Sequence, residues 1–181
     1  MGLDLTISVN IAARHLQEQG FFEKLEVALN GYTTHSTSLL QLELIEATSL
    51  DEIDAIRTIM DKCKILGVQF AIDDFGTGQS SLNYFRHLPA DTLKIDGSFV
   101  RSMMDSPDDL LLVRGIVAIA NAFNREVVAE GVATDEQSAA LLAMGCRVVQ
   151  GYAVARPMPA EEFVAWCAAY PPDPRWRELK H

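Results

Sequence analysis

Six times along this chain of 181 residues, a short apolar run gives way to a segment whose apolar residues recur every three or four positions. The runs cover residues 5–11, 39–44, 68–72, 92–95, 126–129 and 147–149, and the spacing predicts helices over 22–29, 51–66, 80–87, 106–123, 134–145 and 159–170. Within 51–66, Ile53, Ile56, Met60 and Cys63 mark one apolar face, and Gly67 supplies the stop. Ser106-Pro107 reads as a cap followed by a first-turn proline, and Thr134-Asp135-Glu136-Gln137 as a capping box. Parallel neighbours need a crossover segment, so regular βα alternation confines the chain to a parallel α/β sheet. Two architectures satisfy it: a doubly wound open sheet and a (βα)8 barrel.

The polar residues favour the barrel. Nearly every run ends in a ligand-type or catalytic-type side chain: Asn10, Glu43, Asp73 with Asp74, Lys94 with Asp96, Glu130 and Gln150. A barrel brings the carboxyl ends of its strands to one face, whereas an open sheet spreads them along a line. Each residue also has a structural reading of its own. Asn10 can cap a turn, Glu43 can form a strand-edge ion pair, Lys94 and Asp96 can pair with each other, and Glu130-Gly131 and Gln150-Gly151 can be surface turns. Asp73-Asp74 resists such a reading, because two adjacent carboxylates at a buried strand end repel unless a cation lies between them. A hard divalent ion, Mg2+ or Mn2+, suits oxygen ligands. Asp108-Asp109 sits instead where a helix dipole welcomes acids, and Phe99, Met103 and Met104 read as packing residues.

A net charge of −10 argues against binding long nucleic acid through a basic face, but not against a small phosphate ligand held through metal ions. Cys63, Cys146 and Cys167 form neither a CxxC nor a zinc pattern and read as reduced thiols, which suits the cytoplasm. His15, His35, His87 and His181 make no ligand-like pair. The expectation is one cytoplasmic barrel domain over residues 1–170 with a tail over 171–181, no transmembrane span and no leader, although a longer parent could be membrane-anchored.

Ser8-Val9-Asn10-Ile11, Leu42-Glu43-Leu44-Ile45-Glu46, Asp73-Asp74-Phe75-Gly76-Thr77-Gly78, Leu93-Lys94-Ile95-Asp96, Val128-Ala129-Glu130-Gly131-Val132 and Val149-Gln150-Gly151-Tyr152 together resemble the EAL-domain cyclic di-GMP phosphodiesterases of bacterial second-messenger signalling. The resemblance runs in family order over most of the chain. It implies a modified (βα)8 barrel that hydrolyses cyclic di-GMP to linear pGpG with two Mg2+ or Mn2+ ions. One ion would take Asn10, Glu43 and Asp73, and the other the shared Asp73 with Asp74 and Glu130. Lys94 would neutralise the attacked phosphate or hold the nucleophilic water, Asp96 would orient either, and Gln150 would hydrogen-bond to substrate. Glu46 would tie down the loop at 75–81, which the family associates with dimerisation and metal-site order. Two metals about 4 Å apart activate water and stabilise both oxygens of an in-line displacement.

The sequence departs from the family pattern in lacking a Glu-Ala-Leu signature. A barrel of this kind usually takes about 250 residues. The expectation is therefore an incomplete (βα)8 TIM-like barrel of the EAL type without its first strand or strands and helix. It lacks the signature Glu and an Arg that would contact ligand phosphate. Ala133 stands where a Glu is often found, and Ile45-Glu46-Ala47 replaces a more usual Thr-Glu-Ser or Thr-Glu-Thr. Such a chain either pairs with another copy or a partner segment, or is part of a longer enzyme. A non-catalytic module that binds cyclic di-GMP or protein is the alternative function. A carboxylate barrel of the enolase type with Lys94 as base is a third, which the paired Asp73-Asp74 and the glycine loop fit poorly.

Overall fold

The computed structural model describes residues 5–30, 39–45, 52–77 and 82–170. The described elements run in the order β1 (Ile7–Ala12), α1 (Ala13–Leu16), α2 (Phe21–Asn30), β2 (Leu40–Ile45), α3 (Ile53–Ile65), β3 (Gln69–Phe75), α4 (Leu82–His87) and β4 (Thr92–Ile95). There follow α5 (Gly97–Ser102), α6 (Pro107–Ala122), β5 (Glu126–Ala129), α7 (Asp135–Ala143), β6 (Val148–Val149) and α8 (Ala160–Ala169).

All the strand pairs are parallel, and the strands lie side by side in chain order, β1-β2-β3-β4-β5-β6. A doubly wound sheet reverses its order at a switch point. The unbroken order is that of a barrel wall wound in one direction, so the six strands are staves of an incomplete TIM-like barrel. Among the described residues, β1 and β6 form the two edges.

Strand alternation sorts the side chains into an apolar layer and a polar one. Leu42, Leu44, Phe70, Ile72, Leu93, Ile95, Val127 and Ala129 join one core with Ile56, Met60 and Cys63 of α3 and Val113, Ile116, Val117 and Ala120 of α6. The intervening residues are largely polar: Ser8 and Asn10, Gln41 and Glu43, Thr92 and Lys94. The helices begin as their sequence signals require. Ser106 accepts from the Asp109 amide at the start of α6, and Thr134 and Gln137 complete the capping box of α7.

The structure corrects several expectations. β3 does not stop at Ile72 but continues to Phe75, whose pairing with Ile95 and burial hold the extra residues in the sheet. α1 and α5 carry too few residues for helical periodicity to register. Met103 is buried, whereas Met104 is half exposed at the surface. Glu46, the loop beyond Thr77 and the tail at 171–181 lie outside the described residues. No helix among the described residues is long and apolar enough to cross a membrane.

Burial pushes the thiols of Cys63 and Cys146 up to about 11, and both are buried in the core, whereas Cys167 is only partly covered. A thiol-reactive disulfide reagent at pH 8 should therefore modify Cys167 alone in the native protein, and all three cysteines once denaturant is added. Rapid native modification of Cys63 or Cys146 would contradict this packing.

Candidate active site

The site grows from a bulge. Ile72 pairs with Leu93 and Phe75 with Ile95, so Asp73 and Asp74 together face the single residue Lys94. In a regular strand two adjacent side chains point to opposite faces. Here Asp74 adopts a left-handed backbone, φ 52°, its amide donates to Asp73 Oδ1 at 3.1 Å, and both carboxylates join one cluster. Gly76 follows with φ 108°. A side chain there would also collide with Phe99, since a Cβ would lie 2.9 Å from the ring.

Lys94 is the centre of the cluster. Its Nζ lies 2.6 Å from Glu43 Oε2, 3.0 Å from Asp73 Oδ1 and 2.6 Å from Glu130 Oε1, so it gathers carboxylates from β2, β3 and the end of β5. Only 4 % of Lys94 is exposed. Burial opposes its charge, but hydrogen bonds to Glu130, Glu43 and Asp73 outweigh burial and raise its pKa above the ordinary lysine value. One ammonium does not neutralise all the acids around it. Burial holds the Glu130 carboxyl above the usual range, against Lys94 and with help from the charges of Asp73 and Glu43. Asp74 is raised by burial, by the charge of Asp73 and by its hydrogen bond with Asp96. Burial pushes Asp96 the same way, but hydrogen bonds from the Ser98 side chain and amide, and then from Asp74, bring it below the usual range. Within this pair Asp74 is the harder carboxyl to ionise.

Asp73, Asp74 and Glu130 each offer a carboxylate oxygen within 4.8 Å of the others, a spacing able to hold a metal ion. Glu43 reaches this group through Lys94, and Asn10 pairs in register with Glu43 on the adjacent strand, with its side chain exposed. Gln150 lines the same cavity of about 510 Å3 as Glu43 and Lys94. Its position depends on a close backbone approach. Val132 N donates to Gln150 O and Ala153 N to Val132 O, and a Cβ on Gly151 would fall 2.2 Å from Val132 O.

Sequence reasoning missed three parts of the site: the bulge, the Ser98 bonds to Asp96, and a hydrogen-bonded layer beneath Lys94. In that layer Ser8 Oγ donates to Gln41 Oε1 at 3.1 Å and Gln41 Nε2 donates to Thr92 Oγ1 at 2.9 Å. Its signal was present, because residues 8, 41 and 92 each stand two positions before a strand-end residue already singled out and so share its face.

Lys94→Met leaves the carboxylates without their buried counter-charge. In chelator it should lose about 3–5 kcal/mol of stability in denaturant unfolding, and added Mn2+ should return more of that stability than it gives the parent chain. An unchanged midpoint would contradict the central role of Lys94. A carbon-13 titration should place Asp74 and Glu130 above the ordinary carboxylate range and Asp96 below it. Mg2+ should draw Asp74 and Glu130 downward, because a cation favours their ionised forms. Ordinary midpoints for all three would contradict the electrostatics described.

Residues 2–157 match the family model described as "EAL domain". The chain is 39 % identical over 162 residues to the bifunctional diguanylate cyclase/cyclic di-GMP phosphodiesterase MucR of Pseudomonas aeruginosa, which covers 90 % of the chain and 24 % of MucR. It is 37 % identical over 169 residues to the cyclic di-GMP phosphodiesterase PdeR of Escherichia coli, covering 93 % of the chain and 25 % of PdeR. The chain thus spans about a quarter of the length of these curated relatives. Among solved structures, the PaMucR phosphodiesterase in complex with c-di-GMP superposes with a TM-score of 0.79 at 40 % identity, over 87 % of this chain and 64 % of that one. The EAL domain of Mycobacterium smegmatis DcpA gives a TM-score of 0.84 at 36 % identity, over 91 % and 74 %. The chain belongs to the EAL domain family.

Proposed function

We propose that the chain is the catalytic domain of a cyclic di-GMP phosphodiesterase that opens one phosphodiester of the cyclic dinucleotide to give linear pGpG, using two divalent cations, Mg2+ or Mn2+. The observation that carries this reading is the oxygen-only triad of Asp73, Asp74 and Glu130 set against the Lys94 ammonium. The donor set fits such ions: it holds three carboxylates and no sulfur or imidazole, and burial together with neighbouring carboxylates raises two of its acids above the usual range, a shift a bound cation would reverse. The relative solved with c-di-GMP bound supports the choice of ligand.

In this proposal Asp73, Asp74 and Glu130 hold one ion, and Asp73 is shared with a second held by Glu43 and Asn10. Bound cations would supply Lewis acidity, lowering the pKa of water and stabilising charge on the attacking and leaving oxygens. Lys94 neutralises the attacked phosphate or holds the water. Asp96, which hydrogen bonds from Ser98 and Asp74 bring below the usual range, accepts a hydrogen bond from that water. Gln150 offers a neutral amide to the substrate from the cavity wall. The exposed apolar residues Ile7 and Val9 on the edge strand β1 support pairing of this face with another copy or with further polypeptide.

Incubation with cyclic di-GMP and Mn2+ should yield pGpG. Asp73→Asn should lower turnover by more than about 100-fold, beyond what loss of an outer-shell partner costs, while Asp108→Asn at the start of α6 leaves it unchanged. Ligand-dependent stabilisation without product would move the assignment to a non-catalytic binding module. Neither product nor stabilisation would remove cyclic di-GMP from the account.

A further inference from the structure

We propose that Gln41 is a positioning residue: by spanning from β2 to β4 beneath the acidic cluster, it sets the separation of Glu43 and Lys94 and so the seat of the cluster's carboxylates. The catalytic consequence rests on the phosphodiesterase reading above, whereas the structural claim does not.

β2 and β4 are not neighbours, because β3 runs between them. Two side-chain bridges nevertheless cross β3, one above the other. Lys94 Nζ meets Glu43 Oε2 at 2.6 Å, and two residues earlier on the same strands Gln41 Nε2 donates to Thr92 Oγ1 at 2.9 Å. Residues two apart on a strand share a face and stand about 6.6 Å apart, so the neutral bridge is the layer directly below the charged one. Ala71 on β3 is in register with both Glu43 and Thr92, and its methyl group leaves the width that Gln41 needs to cross.

The far end of the amide is fixed as well. Ser8 of β1 donates to Gln41 Oε1 at 3.1 Å, which commits the oxygen to β1 and the nitrogen to β4. One side chain therefore ties together three strands that do not all touch. Gln41 is 7 % exposed and Thr92 2 %. Barrel interiors at this depth are usually filled by branched apolar residues, which pack but fix no distance to hydrogen-bond tolerance. A satisfied buried amide does fix one, and it is costly to leave unpaired. Lys94 must reach oxygens on three elements at once, and a displacement of about 0.5 Å is enough to spoil a multipoint seat of this kind.

The experiment uses Gln41→Met, Thr92→Val and the conservative Thr92→Ser, with Val113→Ala as a core-destabilised control away from the cluster. Competitive lysine acetylation read by mass spectrometry, in chelator, reports the seat of Lys94 against the exposed Lys24 and Lys62. Calorimetry with Mn2+ reports the carboxylates. Gln41→Met and Thr92→Val should make Lys94 label toward the rate of Lys24 and should weaken Mn2+ binding about tenfold, the lower end for outer-shell partners. Thr92→Ser and Val113→Ala should leave both unchanged. If Gln41→Met fails to fold, Thr92→Val decides. Parent-like Lys94 protection and Mn2+ affinity in the folded variants, or equal effects in Val113→Ala, would overturn the proposal. A parent chain that binds no Mn2+ would count against the phosphodiesterase reading alone, and the acetylation result would still decide the role of Gln41.

Discussion

One buried ammonium holds the upper interior of this sheet together. Lys94 is the point where β2, β3 and the β5 loop meet, and each sends it a carboxylate. Three acids at such distances would repel one another and take up protons if the cation were absent. With it, they stay together, while burial and the neighbouring carboxylates still hold Asp74 and Glu130 above the usual range. The site is therefore stable as a fold and still electron-rich as a ligand. That balance is what a centre for divalent ions requires, because a fully neutralised cluster would gain little from binding one.

The balance depends on putting polar groups where a barrel normally puts hydrocarbon. The outward layer of each strand is apolar and seals against α3 and α6, and this layer supplies the core. The inward layer is free to carry chemistry because it is satisfied in tiers. A neutral tier of Ser8, Gln41 and Thr92 lies below, and a charged tier of Glu43, Asp73, Lys94 and Glu130 above. Desolvating a charge is costly, and the lower tier limits that cost by offering a fixed polar floor rather than hydrocarbon.

Much of this was legible in the sequence, for a physical reason. Strand alternation and helical periodicity are local, so β4 at 92–95 and β5 at 126–129 were read to the residue, and the capping signals at Ser106 and Thr134 act as expected. The strand ends did converge, as the polar pattern implied, on Glu43, Asp73, Lys94 and Glu130. What escaped reading depends on contacts between distant residues. The bulge at Asp73-Asp74 exists because Phe75 pairs with Ile95, and no local pattern encodes that register. The acids were expected just past the end of a strand, but they lie within one. The sequence allows Lys94 to pair with Asp96, yet Lys94 turns inward to three other acids, and Asp96 turns to Ser98 and Asp74.

A helix too short for periodicity to register reaches across much of the site. α5 is six residues long, and each turn of it touches a different part of the rim. Asp96 caps it and bonds Asp74. The Gly97 Cα is close enough to Gly131, next to Glu130, that a Cβ would sit 3.4 Å from it. Phe99 fills the space below Gly76, and the Val100 carbonyl accepts from the buried Gln137 amide, whose side-chain oxygen also receives the amides of Ala133 and Thr134. The segments after β3, β4 and β5 are thus indexed to one another through one short helix. The glycines at 76 and 131 follow from that arrangement: both have a left-handed backbone, and a Cβ would lie 2.9 Å from the Phe99 ring at one and 3.1 Å from the Gly97 Cα at the other.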